Sequence, residues 1–195
     1  MKLQRGMSTE RYTILLATVI WLGTMTDFRV WHPSRDPYHC IFRMVRILLA
    51  KSEAIQVEKL RILDMFLLYP SLMHRLSLPS ETKKKFRSLK IPTPSKEFVR
   101  LPGTASVWQE LQIYQSTALK QLAGRGLLRR DSLRDHYAQL ILDQLPAQIL
   151  KRAKEDNQSD TKLVSFLVND LADLPVSGPS GLVKRAGIPA RGPIQ

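Results

Sequence analysis

The stretch that most constrains the fold runs from Ser52 to Tyr69, SEAIQVEKLRILDMFLLY. Leu60, Leu63 and Leu67 make one helical row, and Ile62, Phe66 and Tyr69 make a second row beside it. A helix that is apolar around most of its girth belongs in a core or between partners, not on an open surface. Glu58, Lys59, Arg61 and Asp64 remain as its polar edge, and Pro70 stops it. Glu58 and Asp64 flank the apolar face and read as solvated edge charges, not as an acid–base pair.

A second helix precedes it. Asp36-Pro37 supplies an N-cap with proline at the first helical position. From Pro37 to about Lys51, Ile41, Val45, Leu48 and Leu49 keep helical spacing, and Phe42 and Met44 widen the stripe. Arg43 and Arg46 mark a more polar side. Upstream, Pro33 biases His32 away from the helical region, so 30–35 reads as extended or turn.

Beyond Pro70, Leu72–Leu78 is a short amphipathic piece. Residues 79–102 form a basic connector, in which Lys83, Lys84, Lys85, Arg87, Lys90, Lys96 and Arg100 face only Glu81 and Glu97. One or two helical turns are expected at 80–89. From Thr104 to Gly124, Val107, Leu111, Tyr114, Leu119 and Leu122 restore helical spacing, and Ser116-Thr117 offers a second N-cap that would break it. Gly124-Arg125-Gly126 ends that helix, because glycine takes a left-handed cap cheaply. Leu127-Leu128 then starts a strand or another helix. The stretch 104–128 therefore has the rhythm of a helix-turn-helix followed by a wing. On that reading Lys120, Arg125, Arg129 and Arg130 lie where they reach phosphates; the alternative is a protein-docking module with solvated basic side chains.

Ser132–Lys154 is expected to be helical with a break at Pro146, and Lys162–Leu174 is a last short helix. Residues 175–195 hold four Gly, four Pro and no acid, and read as a disordered basic tail. The fold class is thus mainly α: a helical domain over 25–174 with a winged-helix-like part and short strands, then the tail.

Composition narrows the function. The formal charge is +13, which speaks about partners and solubility. An apolar content of 44% excludes a disordered chain. A single cysteine excludes a disulfide framework and thiolate-rich metal sites, and makes a cytoplasmic location the default. The apolar run Tyr12–Gly23 is shorter than the roughly 20 residues a spanning helix needs. Residues 1–24 keep three readings: a buried segment, an extension upstream of a start at Met25, or a secretion signal.

No catalytic arrangement emerges. Gly124-x-Gly126 is too short for a phosphate loop. His39 and Cys40 are neighbours on a helix and diverge, so they do not form a nucleophile–base pair, and Cys40 reads as a packed thiol. The histidines are scattered and no metal site is expected. The chain reads as a non-enzyme without a cofactor. The Lys83-Lys84-Lys85 run is either a contact to an acidic polymer or a charge that keeps a loop soluble. The aromatic-rich front, with Trp31, Tyr38, Phe42, Phe66 and Tyr69, is either core or partly a subunit interface.

Two stretches carry a resemblance: HPSRDPYHCIFRMVRILL (His32–Leu49) and VEKLRILDMFLLYPSLM (Val57–Met73). They resemble the middle-component family of bacterial ABC three-component systems, a group similar to the middle subunit of Lamassu-type anti-phage defence. His32, Pro33, Asp36, Pro37, Tyr38, His39, Phe42 and Arg43 match the first motif. Glu58, Lys59, Leu60, Leu63, Asp64, Phe66, Leu67 and Pro70 match the second. The resemblance implies a non-catalytic adaptor between an SMC-like ABC ATPase and an effector, often a nuclease. Its partners would be proteins, with DNA touched directly or through the complex, and neither membrane nor small-molecule substrate. The motif residues are then the interface candidates. The rival expectation is a stand-alone winged-helix DNA-binding regulator; a secreted basic protein is a third.

Overall fold

The computed structural model describes residues 32–93 and 102–189. The expectations for 1–24, for Trp31, for Lys96, Glu97 and Arg100, and for 190–195 lie outside the described residues. The described residues from Pro33 onward belong to one compact unit. It is mainly helical, with a single two-stranded sheet among the described residues.

Helix α1, Pro37–Lys51, is the centre of the packing. Asp36 caps it as expected, its Oδ1 accepting from the backbone N–H of Tyr38 at 2.8 Å and of His39 at 3.3 Å. Ser52 closes the helix in the left-handed region with φ 61°. That turn shortens the next helix relative to expectation. Ile55–Gln56 is strand β1, and α2 spans Val57–Leu68. Every side chain from Leu60 to Leu67 on α2 is buried, which is why the sequence there is apolar all round. After Tyr69, Pro70–Arg75 winds into a 3-10 turn.

Helix α3 covers Ser80–Ser88, and α4 runs without interruption over Thr104–Gly124. The helix-turn-helix expected within 104–128 is therefore not formed. Thr117 does not cap a new helix; its hydroxyl donates back to the Ile113 carbonyl at 2.8 Å, inside the same helix. The glycine exit is found. Gly126 has φ +71°, with Gly126 N–H on Ala123 O at 3.0 Å and Leu127 N–H on Leu122 O at 2.9 Å.

The chain then makes a hairpin around the short helix α5, Arg130–Arg134. Leu128 bridges Leu140, and strand β2, Tyr137–Ala138, pairs antiparallel with β1, Ile55 opposite Ala138 and Gln56 opposite Tyr137. So the segment 132–154 is not one helix broken at Pro146. It holds β2, a 3-10 turn at Leu142–Gln144 and helix α6, Ala147–Ser159. Helix α7, Thr161–Ser165, widens into a π-helix over Phe166–Leu171. No helix of the described residues is long and apolar enough to cross a membrane.

Helices α2, α4 and α6 all pack on α1. The core reaches further along the chain than expected. Residues 175–189, read as tail, are folded: α8, Leu182–Arg185, buries Leu182, and Val176, Ala186 and Ile188 are buried with it. The apolar residues in this glycine- and proline-rich stretch are few but sit at positions that face the core. Gly181 packs so tightly on Ser177 that a Cβ there would lie 2.5 Å from the Ser177 carbonyl carbon.

Candidate functional site

The polar residues of the two motifs converge inside the protein. Arg43 of α1 and Asp64 of α2 form a forked ion pair, Nε to Oδ1 at 2.7 Å and Nη2 to Oδ2 at 3.1 Å, with side chains 3% and 0% exposed. Gln115 of α4 donates to Asp64 Oδ2 at 2.8 Å and to the Arg61 carbonyl at 2.9 Å. Arg61 returns its Nε to Gln115 Oε1 at 3.0 Å and lays its guanidinium over Trp108, 4.7 Å from the ring centroid. Cys40 Sγ faces Asp64 Oδ2 at 3.7 Å. Arg43 also donates to the Pro33 carbonyl at 3.1 Å and meets His39 Nδ1 at 2.6 Å. One carboxylate thus joins three helices through Arg43 and Gln115.

Electrostatics follow from this burial. Burial opposes the Arg43 charge, but the Asp64 carboxylate outweighs it and holds the guanidinium ionised. Burial, with the negative charge of Asp64, pushes the Cys40 thiol well above its ordinary range, so it stays protonated and inert. Burial and the Arg43 charge hold the His39 imidazole below its ordinary pKa, so Nδ1 is free to accept from Arg43. Asp64, expected as a solvated edge charge, and Arg43, expected on the more polar side of its helix, are instead the best-sealed charges of the described residues. Arg46 is likewise buried: it binds Asn157 Oδ1 at 3.0 Å, the Asp156 carbonyl at 3.1 Å and Asp160 at 2.7 Å, and so pins α6 to α1.

The remaining motif residues spread between interior and surface. Phe66 is fully buried and Phe42 partly. Tyr38 stands 66% exposed. His32 is exposed, and Pro33 and Asp36 are half-buried at the head of α1. Glu58 and Lys59 line an open cleft of about 590 Å³ between the end of α1, the β1–β2 edge and residues 175–177. Lys59 donates to the Ala172 carbonyl, and burial lowers its pKa.

The basic candidates part company. Lys84 pairs with Glu81 at 2.8 Å on its own helix, and Lys85 pairs with Asp170 at 2.5 Å, tying α3 to the π-helix. Lys83 instead lines a groove of about 350 Å³ with Arg87 and Lys90. Lys120, Arg125, Arg129 and Arg130 are exposed along the end of α4 and the start of the hairpin, and none is in an ion pair among the described residues. No group of three metal-ligating side chains gathers among the described residues.

Sequence reasoning missed Gln115, Trp108 and Arg61 as parts of the polar knot. The readable signal was Gln115: it lies on the same helical stripe as Leu111, Ala118 and Leu122, all buried, and a polar side chain there needs a buried partner.

The scaffold is thus helical, with the Arg43–Asp64 pair of the motifs sealed inside, Glu58 and Lys59 bordering one open cleft and Lys83, Arg87 and Lys90 bordering another. The chain belongs to the ABC-three component (ABC-3C) system Middle Component 5 family, whose model matches residues 29–190. Both motifs and the folded segment up to Pro189 lie within that match. No curated protein and no solved structure matches the chain significantly.

Proposed function

We propose that this protein is the non-catalytic middle subunit of a bacterial anti-phage or anti-plasmid complex of the Lamassu kind, joining an SMC-like ABC ATPase to an effector, such as a nuclease, in the cytoplasm. The observation that carries this reading is the family match over 29–190. The chemistry agrees with it. The motif groups that have the elements of a reactive site, Cys40, His39, Arg43 and Asp64, satisfy one another and hold helices together. Control would be mechanical. With no foreign DNA engaged, the subunit holds the effector inactive; ATPase engagement on DNA shifts the assembly to a second arrangement that releases it.

The test is co-expression of the full chain with the products of the genes beside it. The reading expects a stable complex containing an ABC ATPase. A chain that elutes alone while the ATPase and effector associate without it contradicts the reading.

A second reading has an observation of its own. In chain order α1, β1, α2 and α4 are followed by the bridge residue Leu128, the short helix α5 and β2, and β1 closes on β2. That order supports a winged-helix arrangement in which α2 and α4 are the paired helices, with 69–103 inserted between them. Such a chain would act as a stand-alone regulator, with Lys120, Arg125, Arg129 and Arg130 on duplex phosphates. It expects salt-dependent duplex binding by the isolated chain, abolished by Arg125→Ala, Arg129→Ala and Arg130→Ala together.

A further inference from the structure

Three cations gather at α3 and the turn that follows it. Lys83 and Arg87 are four residues apart on α3, about 6 Å along its axis and on one face, and Lys90 joins them from the turn beyond the helix end. All three line the 350 Å³ groove that α3 forms with the chain around residues 73–78. No Asp or Glu lines that groove among the described residues, and none of the three cations is in an ion pair there. Their neighbours Lys84 and Lys85 are both in ion pairs.

The groove is fixed in shape. Lys90 takes the left-handed conformation with φ 53°, which turns the chain back so that His74 Nε2 donates to the Ile91 carbonyl at 3.0 Å. The floor is apolar, made by Leu76, Leu78, Phe86 and Ile91. Phe86 is itself buried, edge-on to His74 at 5.0 Å and tilted against Phe166 at 5.9 Å.

We propose that this groove docks an acidic segment of a partner subunit that carries apolar side chains between its carboxylates. The proposal rests on the middle-subunit reading and names one of its contacts. Charge complementarity calls for an anion. The floor then decides its class. A nucleic-acid backbone gains nothing from the half-buried Leu78 and Ile91, and Phe86 offers no open face on which a base could stack. A peptide uses both features at once, carboxylates against the three cations and an apolar side chain on the floor.

The test uses the full chain and a fluorescent peptide in which glutamate and leucine alternate, beside an all-glutamate peptide and a DNA duplex. The alternating peptide should bind more tightly than both. Combined Lys83→Glu, Arg87→Glu and Lys90→Glu should weaken it roughly tenfold or more, and Lys84→Glu with Lys85→Glu much less. Lys90→Gly relieves the left-handed strain, so it should raise the urea midpoint while weakening the peptide, which separates binding from folding. Tighter binding of duplex, lost in the same triple variant, overturns the proposal in favour of nucleic acid. A gain of roughly tenfold on Glu97→Gln overturns it in favour of a groove filled by the chain's own connector. Absence of peptide binding in a chain that still assembles with the ATPase overturns this proposal alone; absence of both overturns the middle-subunit reading as well.

Discussion

Two regions of this protein are rich in charge and are built in opposite ways. In the knot of α1, α2 and α4, Arg43, Asp64, Gln115 and Arg61 hold one another, 3% exposed or less. In the groove of α3, Lys83, Arg87 and Lys90 face solvent with no carboxylate between them. The first arrangement leaves nothing for a partner to grasp. Burying charges is costly, and the reward is a fixed geometry among three helices whenever every group is satisfied. The second leaves its electrostatic work undone, which is what an association surface does before its partner arrives. The difference teaches that Arg43 and Asp64 of the motifs commit their charge to the scaffold, while Lys83, Arg87 and Lys90, outside the motifs, keep theirs uncommitted among the described residues.

The sharpest way to break the comparison is Asp64→Ala. It strands Arg43 in the interior and should cost about 3–5 kcal/mol, read as a fall in urea midpoint at constant slope. Replacing both partners, Arg43→Met with Asp64→Leu, should cost clearly less than the single change. An Asp64→Ala loss below about 1 kcal/mol means the pair behaves like a surface contact and the contrast collapses. Next in size, Gln115→Leu leaves one Asp64 oxygen and the Arg61 carbonyl and Nε without this partner, and about 1–3 kcal/mol should be lost.

Gly181→Ala tests whether 175–189 belongs with the sealed interior. Its new Cβ would meet Ser177 and Val176 backbone atoms at 2.5–2.6 Å, so α8 should detach at a cost of about 1–3 kcal/mol. Trypsin should then cut at Lys184 and Arg185 faster than in the parent; equal rates would put this stretch outside the core.

The smallest effect concerns pH. The His39 pKa is held below its ordinary 6.5 by burial first and the Arg43 charge second, against opposing pulls from Asp36 and Asp64. The unfolded chain therefore takes up a proton near pH 6.5 that the folded chain refuses. The neutral ring's contribution is whole above that pH and fades as pH falls through the folded value. His39→Gln should flatten the stability profile as pH falls below about 6.5; an unchanged slope shows that His39 is not held neutral by its surroundings.

Much of the scaffold was legible from local chemistry. Asp36-Pro37 fixed the start of α1, and Gly126 the end of α4, because caps depend on one or two residues and their backbone angles. The apolar girth of α2 left two readings, a core or a place between partners, and burial of Leu60 to Leu67 within the chain decides for the core. What depended on distant partners was not legible. Asp64 and Arg43 look alike whether solvated or paired, since only the approach of α4 with Gln115 decides it. The same holds for β1, two residues long, which exists because Tyr137–Ala138 comes alongside. The tail's composition suggested disorder, and a few well-placed apolar side chains outweighed it. In the basic run, sequence could not separate Lys83 from Lys84 and Lys85, because Asp170, which takes Lys85, lies 85 positions away.

The most direct test of the contrast is the mass of the co-expressed assembly, measured for two variants of equal interest. The Lys83→Glu, Arg87→Glu, Lys90→Glu chain should fold with the parent's urea midpoint and yet lose a partner subunit. The Arg43→Met, Asp64→Leu chain should have an altered midpoint and yet keep every partner. The reverse pattern, with assembly following the interior pair and indifferent to the α3 cations, would contradict the account.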